Sequence, residues 1–166
     1  MTSPAENEIL FIGVGNPLRG DDAAGPLAVK LMRDRNCAGL RVIEHEGEGA
    51  SLMDAWTGAQ SVIIVDALAA DLPPGTICRL DASEKPLPAE LFPGSTHALG
   101  LREAVELSRA LDRLPPRVII YGIQAKSFET GAPLSAEVES AVRELVAQVT
   151  KDPMQQLRGQ RTVSGR

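Results

Sequence analysis

The segment FIGVGNPLRGDDAAG, residues 11–25, runs from an apolar strand through a glycine-rich loop to two adjacent aspartates. Glycine-rich loops that follow a first strand usually bind phosphate, because the backbone N–H groups at the start of the next helix attract an anion. Asp21 and Asp22 end this loop, and two carboxylates would repel a phosphate. The segment therefore keeps the tight turn of a phosphate loop but carries side chains suited to a cation.

Two phosphate-binding motifs fail in this loop. The dinucleotide motif G-x-G-x-x-G needs a third glycine, whereas Leu18 stands at that position after Gly13 and Gly15. The motif G-x-x-x-x-G-K-[ST] matches the spacing of Gly15 and Gly20, but the two aspartates replace its Lys and Ser/Thr. Neither motif predicts the ligand of this loop.

The two aspartates also have a purely structural interpretation. Aspartate caps helix N-termini well, and a helix is predicted to begin near Ala23. We expect one of the pair to be this cap, with Asp21 the favoured structural residue.

Length and charge limit the class of protein. The chain has 166 residues, which suits one domain; we expect that domain over residues 1–150 and a flexible tail over residues 151–166, where apolar periodicity ends. A net charge of -5 argues against nucleic acid and anionic membranes as partners. No apolar run approaches the roughly 18 residues that span a bilayer, and the N-terminus lacks a signal peptide. We therefore expect a cytoplasmic protein.

Apolar runs alternate with amphipathic segments along the chain. Residues 9–15, 61–67 and 117–124 are short Ile- and Val-rich runs typical of strands buried in a parallel sheet, and LRVIEHE and TICRLD are weaker strand candidates. The intervening segments space apolar residues three and four apart, as helices do. This order predicts an α/β fold: a single three-layer α/β/α domain with a twisted, mostly parallel sheet.

A second acid is expected at the same edge of the sheet as the loop. Asp66 follows five apolar residues in SVIIVD, so it emerges at the carboxyl end of a strand, where ligands bind in such sheets. Carboxylates brought together repel each other unless a cation or proton lies between them. The alternative is a strand-end aspartate that binds the backbone amides of a turn.

The chain has two histidines, and both follow segments predicted to end near this edge. His97 lies in GSTHALGL at a loop-to-helix junction, and His45 lies in VIEHEGEG at the end of the weaker strand. Two carboxylates with one imidazole suit a transition metal such as nickel or zinc. The sequence contains no G-x-S-x-G elbow, and neither Cys37 nor Cys78 has an evident activating partner, so nucleophilic catalysis is not predicted.

With these residues in place, the sequence resembles the maturation endopeptidases of nickel-iron hydrogenases along nearly the whole domain. Four blocks carry the resemblance in order: FIGVGNPLRGDDAAG, VIIVDA, STHALGL and YGIQAKSFETGAPLSAEV. The last acid of the first block, the aspartate of the second and the histidine of the third are metal-contacting positions in that family. They correspond here to Asp22, Asp66 and His97.

The resemblance implies a phosphorylase/hydrolase-like fold and an enzyme that removes a short C-terminal segment from the hydrogenase large-subunit precursor after nickel insertion. It also implies that the nickel belongs to the precursor and is recognised through Asp22, Asp66 and His97. Some relatives have Glu at the first of these positions, so the shorter Asp22 holds its carboxylate nearer the backbone.

The catalytic step stays open at the level of the sequence. Nickel can polarise the scissile carbonyl or activate a water, or it can serve as a positioning mark while Asp22 or Asp66 acts as general base. Gly15, Asn16 and Gln124 are candidates for substrate positioning or oxyanion binding, although Asn16 equally suits closure of the turn.

Two other functions compete with this prediction. GVGNP also resembles the opening motif of peptidyl-tRNA hydrolases, but residues 18–30 lack the Tyr and the His-Asn pair of that family, and the acidic charge suits tRNA poorly. The second alternative is a non-catalytic, nickel-dependent checkpoint or chaperone that uses the same acids and histidine only to bind the precursor.

Overall fold

The computed structural model describes residues 8–92 and 99–158. Within these ranges the chain forms five strands and five helices, with short 3-10 turns at Gly20–Ala23 and Ala89–Leu91. In chain order the elements are β1 (Ile9–Val14), α1 (Ala24–Arg35), β2 (Leu40–His45), α2 (Gly49–Trp56), β3 (Ser61–Leu68), β4 (Ile77–Asp81), α3 (Leu101–Ala110), β5 (Arg117–Gln124), α4 (Ala136–Lys151) and α5 (Pro153–Leu157).

The strands form one sheet in the order β2-β1-β3-β5-β4. The first four are parallel, and β4 is an antiparallel strand at one edge of the sheet. The predicted α/β class and the mostly parallel sheet are therefore confirmed. Both weaker strand candidates are edge strands, which explains why they lack the continuous apolar runs of β1, β3 and β5.

Helices cover both faces of the sheet. Alternate residues of β1 point to opposite faces, so Phe11 packs with α1 and α4 while Ile12 packs with α2 and α3. Each such fully buried side chain stabilises the fold by about 1.5–3 kcal/mol relative to exposure. In α4 the buried residues recur at helical spacing: Val138, Ala141, Val142, Leu145, Val146 and Val149.

Strand β1 and helix α1 approach each other more closely than side chains allow. A Cβ added at Gly25 would lie 2.2 Å from the carbonyl oxygen of Val14, and one added at Gly13 would lie 2.2 Å from the carbonyl oxygen of Gly25. Only glycine fits at both positions. This contact fixes where α1 begins relative to β1, and it therefore sets the path of the loop that joins them.

The end of the chain is more ordered than the sequence suggested. Residues 151–166 were expected to form a flexible tail, but α4 extends to Lys151 and α5 packs on the domain with Leu157 buried. The Tyr121 hydroxyl on β5 donates a hydrogen bond to Oε1 of Gln156 at 2.5 Å. The domain therefore extends past residue 150 into α5, while residues 159–166 lie outside the described residues.

None of the helices in residues 8–92 and 99–158 combines the length and the apolar character needed to cross a membrane.

We expect Gly25→Ala to lower the free energy of unfolding by about 3 kcal/mol or more, because the new Cβ would meet the backbone of β1. Urea unfolding measures this change. Gly58→Ala is the matched control: its φ is +81° and no atom lies within 4 Å of the new Cβ, so only the backbone strain of about 1 kcal/mol applies. Equal costs for the two variants would contradict the close-packing argument.

Candidate active site

The carboxyl ends of the four parallel strands lie side by side along one end of the sheet. This end is called the carboxyl edge below, and it is distinct from the edge strands β2 and β4. Gly13 on β1 pairs with Val65 on β3, so Asp66 lies at the level where β1 gives way to the loop toward α1. Asp66 itself pairs with Gly122 on β5. The loop of residues 15–22, called the site loop below, therefore starts beside Asp66, as the sequence predicted.

Gly15 lets the site loop fold back on itself. Its φ is +145°, and a Cβ there would lie 2.0 Å from the carbonyl oxygen of Asp22 and 3.3 Å from its Oδ1. The Gly15 N–H donates to the carbonyl oxygen of His45 at 3.0 Å, which ties the loop to the end of β2. Gly15 thus brings Asp22 against the turn, and its contribution within the chain is conformational.

Asn16 closes the turn and holds Asp22 at the same time. Its side-chain Oδ1 accepts a hydrogen bond from the N–H of Leu18 at 2.9 Å, as in an Asx turn. Its backbone N–H donates to Oδ2 of Asp22 at 2.8 Å. The turn-closing alternative for Asn16 is therefore observed, and the same residue fixes the carboxylate of Asp22.

The expected helix cap is not formed by either aspartate. Helix α1 begins at Ala24 with Ala23 as its N-cap, and no side chain caps it. The 3-10 turn at Gly20–Ala23 intervenes and directs both carboxylates elsewhere. The capping prediction is therefore wrong, because the local sequence does not reveal an extra turn ahead of the helix.

Asp21 is nevertheless a structural residue, through contacts with a distant part of the chain. It is 1% exposed, and its carboxylate accepts hydrogen bonds from the backbone N–H groups of Lys126 (2.7 Å), Ser127 (3.2 Å) and Ser135 (2.7 Å). The Ser135 hydroxyl adds a fourth hydrogen bond at 2.9 Å. All donors lie in residues 126–135 between β5 and α4, called the support segment below.

The environment of Asp21 keeps it ionised. Burial by itself raises the pKa of this carboxyl, but the hydrogen bonds from Ser135, Lys126 and Ser127 outweigh it, so the pKa lies below its ordinary value. A carboxylate with four donors has little tendency to take up a proton. Asp21 is thus a fixed negative charge at neutral pH.

Asp66 has the opposite environment. Burial raises its pKa well above the ordinary value, the negative charge of Asp22 raises it further, and a backbone hydrogen bond from Ala67 opposes both effects. The side chain is thus held by a backbone amide, as the structural alternative proposed, and it also experiences the negative charge of Asp22. This effect is expected for two acids at the same edge of the sheet.

The structure describes one of the two histidines, His45, and the other lies outside the described residues. Nδ1 of His45 accepts a hydrogen bond from the N–H of Gly47 at 2.9 Å, so this imidazole helps to organise the turn after β2. His97 lies outside the described residues, and its predicted role stays a prediction. Across residues 8–92 and 99–158, no group of three or more His, Cys, Asp or Glu side chains is arranged to hold a metal.

Gln124 ends β5 at the same edge of the sheet. It is 6% exposed, and its Nε2 donates to the carbonyl oxygen of Ala125 at 2.9 Å. Its Oε1 is buried and has no hydrogen-bond partner among the described residues. A buried amide oxygen without a partner is destabilising. The Oε1 of Gln124 is therefore an acceptor that another N–H or O–H group can satisfy.

Sequence reasoning missed the role of the support segment. YGIQAKSFETGAPLSAEV is the last of the four blocks that carry the resemblance, but nothing in it indicates a partner more than 100 residues earlier in the chain. The donors at its start are backbone N–H groups, which every residue except proline carries, and so they leave no trace in the residue types.

Comparison with known proteins identifies relatives over most of the chain. The family model described as "Hydrogenase maturation protease" matches residues 27–152. A hydrogenase expression/formation protein of Thiocapsa roseopersicina is 26% identical over 141 residues, which are 83% of this chain and 64% of that relative. The chain therefore spans slightly less than two thirds of that protein.

Solved structures agree with this match. The hydrogenase maturating endopeptidase HybD from Escherichia coli has a TM-score of 0.73 and 25% identity, with 89% of this chain and 93% of that chain covered. A [NiFe] hydrogenase maturation protease from Thermococcus kodakarensis has a TM-score of 0.64 and 26% identity, with 87% and 97% covered.

We expect Asp66→Asn to raise the free energy of unfolding at pH 7 by on the order of 1 kcal/mol. Because the pKa of Asp66 is higher in the folded than in the unfolded chain, ionisation above the unfolded pKa favours unfolding. Asparagine removes that penalty and keeps an acceptor for the Ala67 amide. The advantage should vanish as the pH falls below the unfolded pKa of about 3.9, where Asp66 is protonated in both states.

Urea unfolding at pH 7 and at acidic pH measures the effect. Asp54→Asn, at an exposed position on α2, is the matched control and should leave stability within about 0.5 kcal/mol. An Asp66→Asn protein less stable than the wild type at pH 7 would contradict the assignment of Asp66 as an electrostatically strained residue.

Proposed function

The chain belongs to the hydrogenase maturation protease family, and from that premise we propose that it is an endopeptidase that removes a short C-terminal segment from the nickel-loaded large-subunit precursor of a nickel-iron hydrogenase. The observation that carries the proposal is the pair of carboxylates at the carboxyl edge of the sheet. Asp22 raises the pKa of Asp66, as expected of two acids that face a common space.

The pair is suited to recognise a metal that arrives with the substrate. A divalent cation between Asp22 and Asp66 would relieve their repulsion, and carboxylate together with imidazole suits nickel or zinc. In this proposal nickel is held by cysteines of the precursor, and His97 supplies the third group from the enzyme. The enzyme thereby acts only on a precursor that already contains its metal.

Asp66 is the better candidate for the general base. Burial raises the pKa of its carboxyl, so this carboxylate takes up a proton more readily than an ordinary aspartate does. As a water oxygen attacks the scissile carbonyl carbon, its proton passes to the Asp66 carboxylate. The proton then moves to the leaving nitrogen as the C–N bond breaks, which restores the carboxylate. Asp22 holds the substrate's metal beside this bond.

In this proposal Asn16 and Gln124 bind the peptide around the scissile bond. Since Oδ1 of Asn16 is engaged by the Leu18 amide, the other end of the carboxamide presents its N–H donors away from that turn. Such a donor suits the oxygen of the scissile carbonyl as negative charge develops on it. The Oε1 of Gln124 is buried without a partner among the described residues, so it would accept a backbone N–H of the precursor only after the side chain turns outward, while Gly15 contributes by letting the site loop fold back on Asp22.

The test is the intact mass of the cognate precursor, purified with and without nickel, before and after incubation with the protein. We expect the wild type to remove one short C-terminal peptide from the nickel-loaded precursor alone. Asp22→Asn and Asp66→Asn should lower the rate by at least about 100-fold while remaining folded. Asp34→Asn, an exposed change on α1, is the matched control and should cleave at the wild-type rate.

The outcomes separate the competing functions. Stable binding of the nickel-loaded precursor without any loss of mass would replace the endopeptidase with the non-catalytic checkpoint. Cleavage at wild-type rates by both carboxylate variants would refute the assigned site. Cleavage of nickel-free precursor at the same rate would refute recognition of the substrate's metal.

A further inference from the structure

Asp21 lies next to Asp22 in the sequence but is turned away from the carboxylate pair. We propose that Asp21 is a positioning residue that sets the location of Asp22 by joining the site loop to the support segment. The expected effect of Asp21 on cleavage rests on the proposed function. Its effect on the position of Asp22 is a property of the free protein and does not depend on that function.

One carboxylate holds both ends of the support segment. The N–H groups of Lys126 and Ser127 come from the beginning of that segment, and the N–H and hydroxyl of Ser135 come from its end. Both carboxylate oxygens are used, Oδ1 by the Ser135 amide and Oδ2 by the other three donors. Asparagine has a single acceptor oxygen, so its amide group would face N–H donors that it cannot satisfy.

The site loop is docked on the support segment at further points. The Asp21 N–H donates to the carbonyl oxygen of Ser127 at 2.8 Å, and the Gly131 N–H donates to that of Leu18 at 2.9 Å. Gly20 has a φ of +54°, and a Cβ there would lie 2.6 Å from the Ser127 oxygen. The loop therefore fits against the segment backbone to backbone, with Asp21 at the centre of the contact.

Ser135 gives up its usual local role to this contact. It is the N-cap residue of α4, yet its hydroxyl makes no cap hydrogen bond and instead donates to Asp21. The Asp21 carboxylate accepts the Ser135 N–H at the start of that helix, where the helix dipole favours a negative charge. Since α4 buries one whole side in the core, it is a rigid support.

Both carboxylates of the pair are positioned relative to the same strand, β5. Asp66 lies on β3 and pairs with Gly122 of β5. Asp22 is one peptide bond from Asp21, which is bound to Lys126 and Ser127 just after β5 ends. The separation of Asp22 from Asp66 is thus set through β5 by a short series of contacts. A displacement of about 1 Å at a catalytic group can cost about 100-fold in rate.

The test compares two carboxylates that bind backbone and serine donors at opposite edges of the sheet. Asp21→Asn removes the proposed positioning contact. Asp81→Asn is the matched control, because Asp81 accepts hydrogen bonds from the N–H and hydroxyl of Ser83 and pairs with Ile119 near the start of β5, away from the site. Both changes remove one charge and disturb one carboxylate-serine contact.

Two readouts are taken at a temperature where each variant is fully folded. The first is kcat/KM for cleavage of the nickel-loaded precursor, which should fall about 10- to 100-fold for Asp21→Asn and stay at the wild-type value for Asp81→Asn. The second is amide hydrogen exchange of the free protein at Asn16, whose N–H donates to Asp22. This exchange should accelerate at least tenfold in Asp21→Asn alone.

Ser135 variants keep the proposal testable if Asp21→Asn fails to fold. Ser135→Ala removes one of the four hydrogen bonds and keeps the carboxylate, so it should show a smaller loss in kcat/KM, and Ser135→Thr, which retains a hydroxyl donor, should restore activity. Unchanged Asn16 exchange in Asp21→Asn, or equal losses of kcat/KM in the Asp21 and Asp81 variants, would overturn the positioning role. If the wild type does not cleave the precursor, the proposed function is refuted. Amide hydrogen exchange at Asn16 in the free protein then still tests whether Asp21 positions Asp22.

Discussion

The buried carboxylate of Asp21 connects the two parts of the chain that build the carboxyl edge of the sheet. Its two oxygens accept four hydrogen bonds, all from residues more than 100 positions away in the chain. A buried charge is tolerated only when it is hydrogen-bonded in this way. Around this carboxylate the site loop and the support segment meet backbone to backbone, through the Asp21 N–H on the Ser127 oxygen and the Gly131 N–H on the Leu18 oxygen.

Adjacent aspartates therefore serve opposite purposes. Asp21 is fully satisfied, with a lowered pKa, and stabilises the fold at neutral pH. Asp22 is held by the backbone amide of Asn16. Burial raises the pKa of Asp66, and the negative charge of Asp22 raises it further. The domain thus contains one carboxylate that secures the structure and a pair kept in mutual repulsion. A cation bound between two such carboxylates would relieve their repulsion, which supports the proposed recognition of a metal on the substrate.

Much of this architecture is legible in residue types. Apolar runs with β-branched residues predicted β1, β3 and β5, and Gly15, Asp22 and Asp66 were placed at one edge because parallel strands end together. The weaker strands were recognised as candidates but not as edges. The cap assigned to Asp21 was wrong, since a 3-10 turn and a long-range contact outcompeted the local preference of aspartate for helix N-termini.

By itself the sequence determined the α/β class and the order of the elements, because these depend on periodicity and on short-range backbone preferences. The choice of Asp22 and Asp66 as site acids rested on the family resemblance. Tertiary structure decided that Asp21 faces the support segment, that Ser135 serves Asp21 instead of its own helix, and that Asp66 has a raised pKa. These properties arise from backbone donors and from desolvation. Both depend on which segments meet in space, and neither is encoded in the residues that surround an aspartate along the chain.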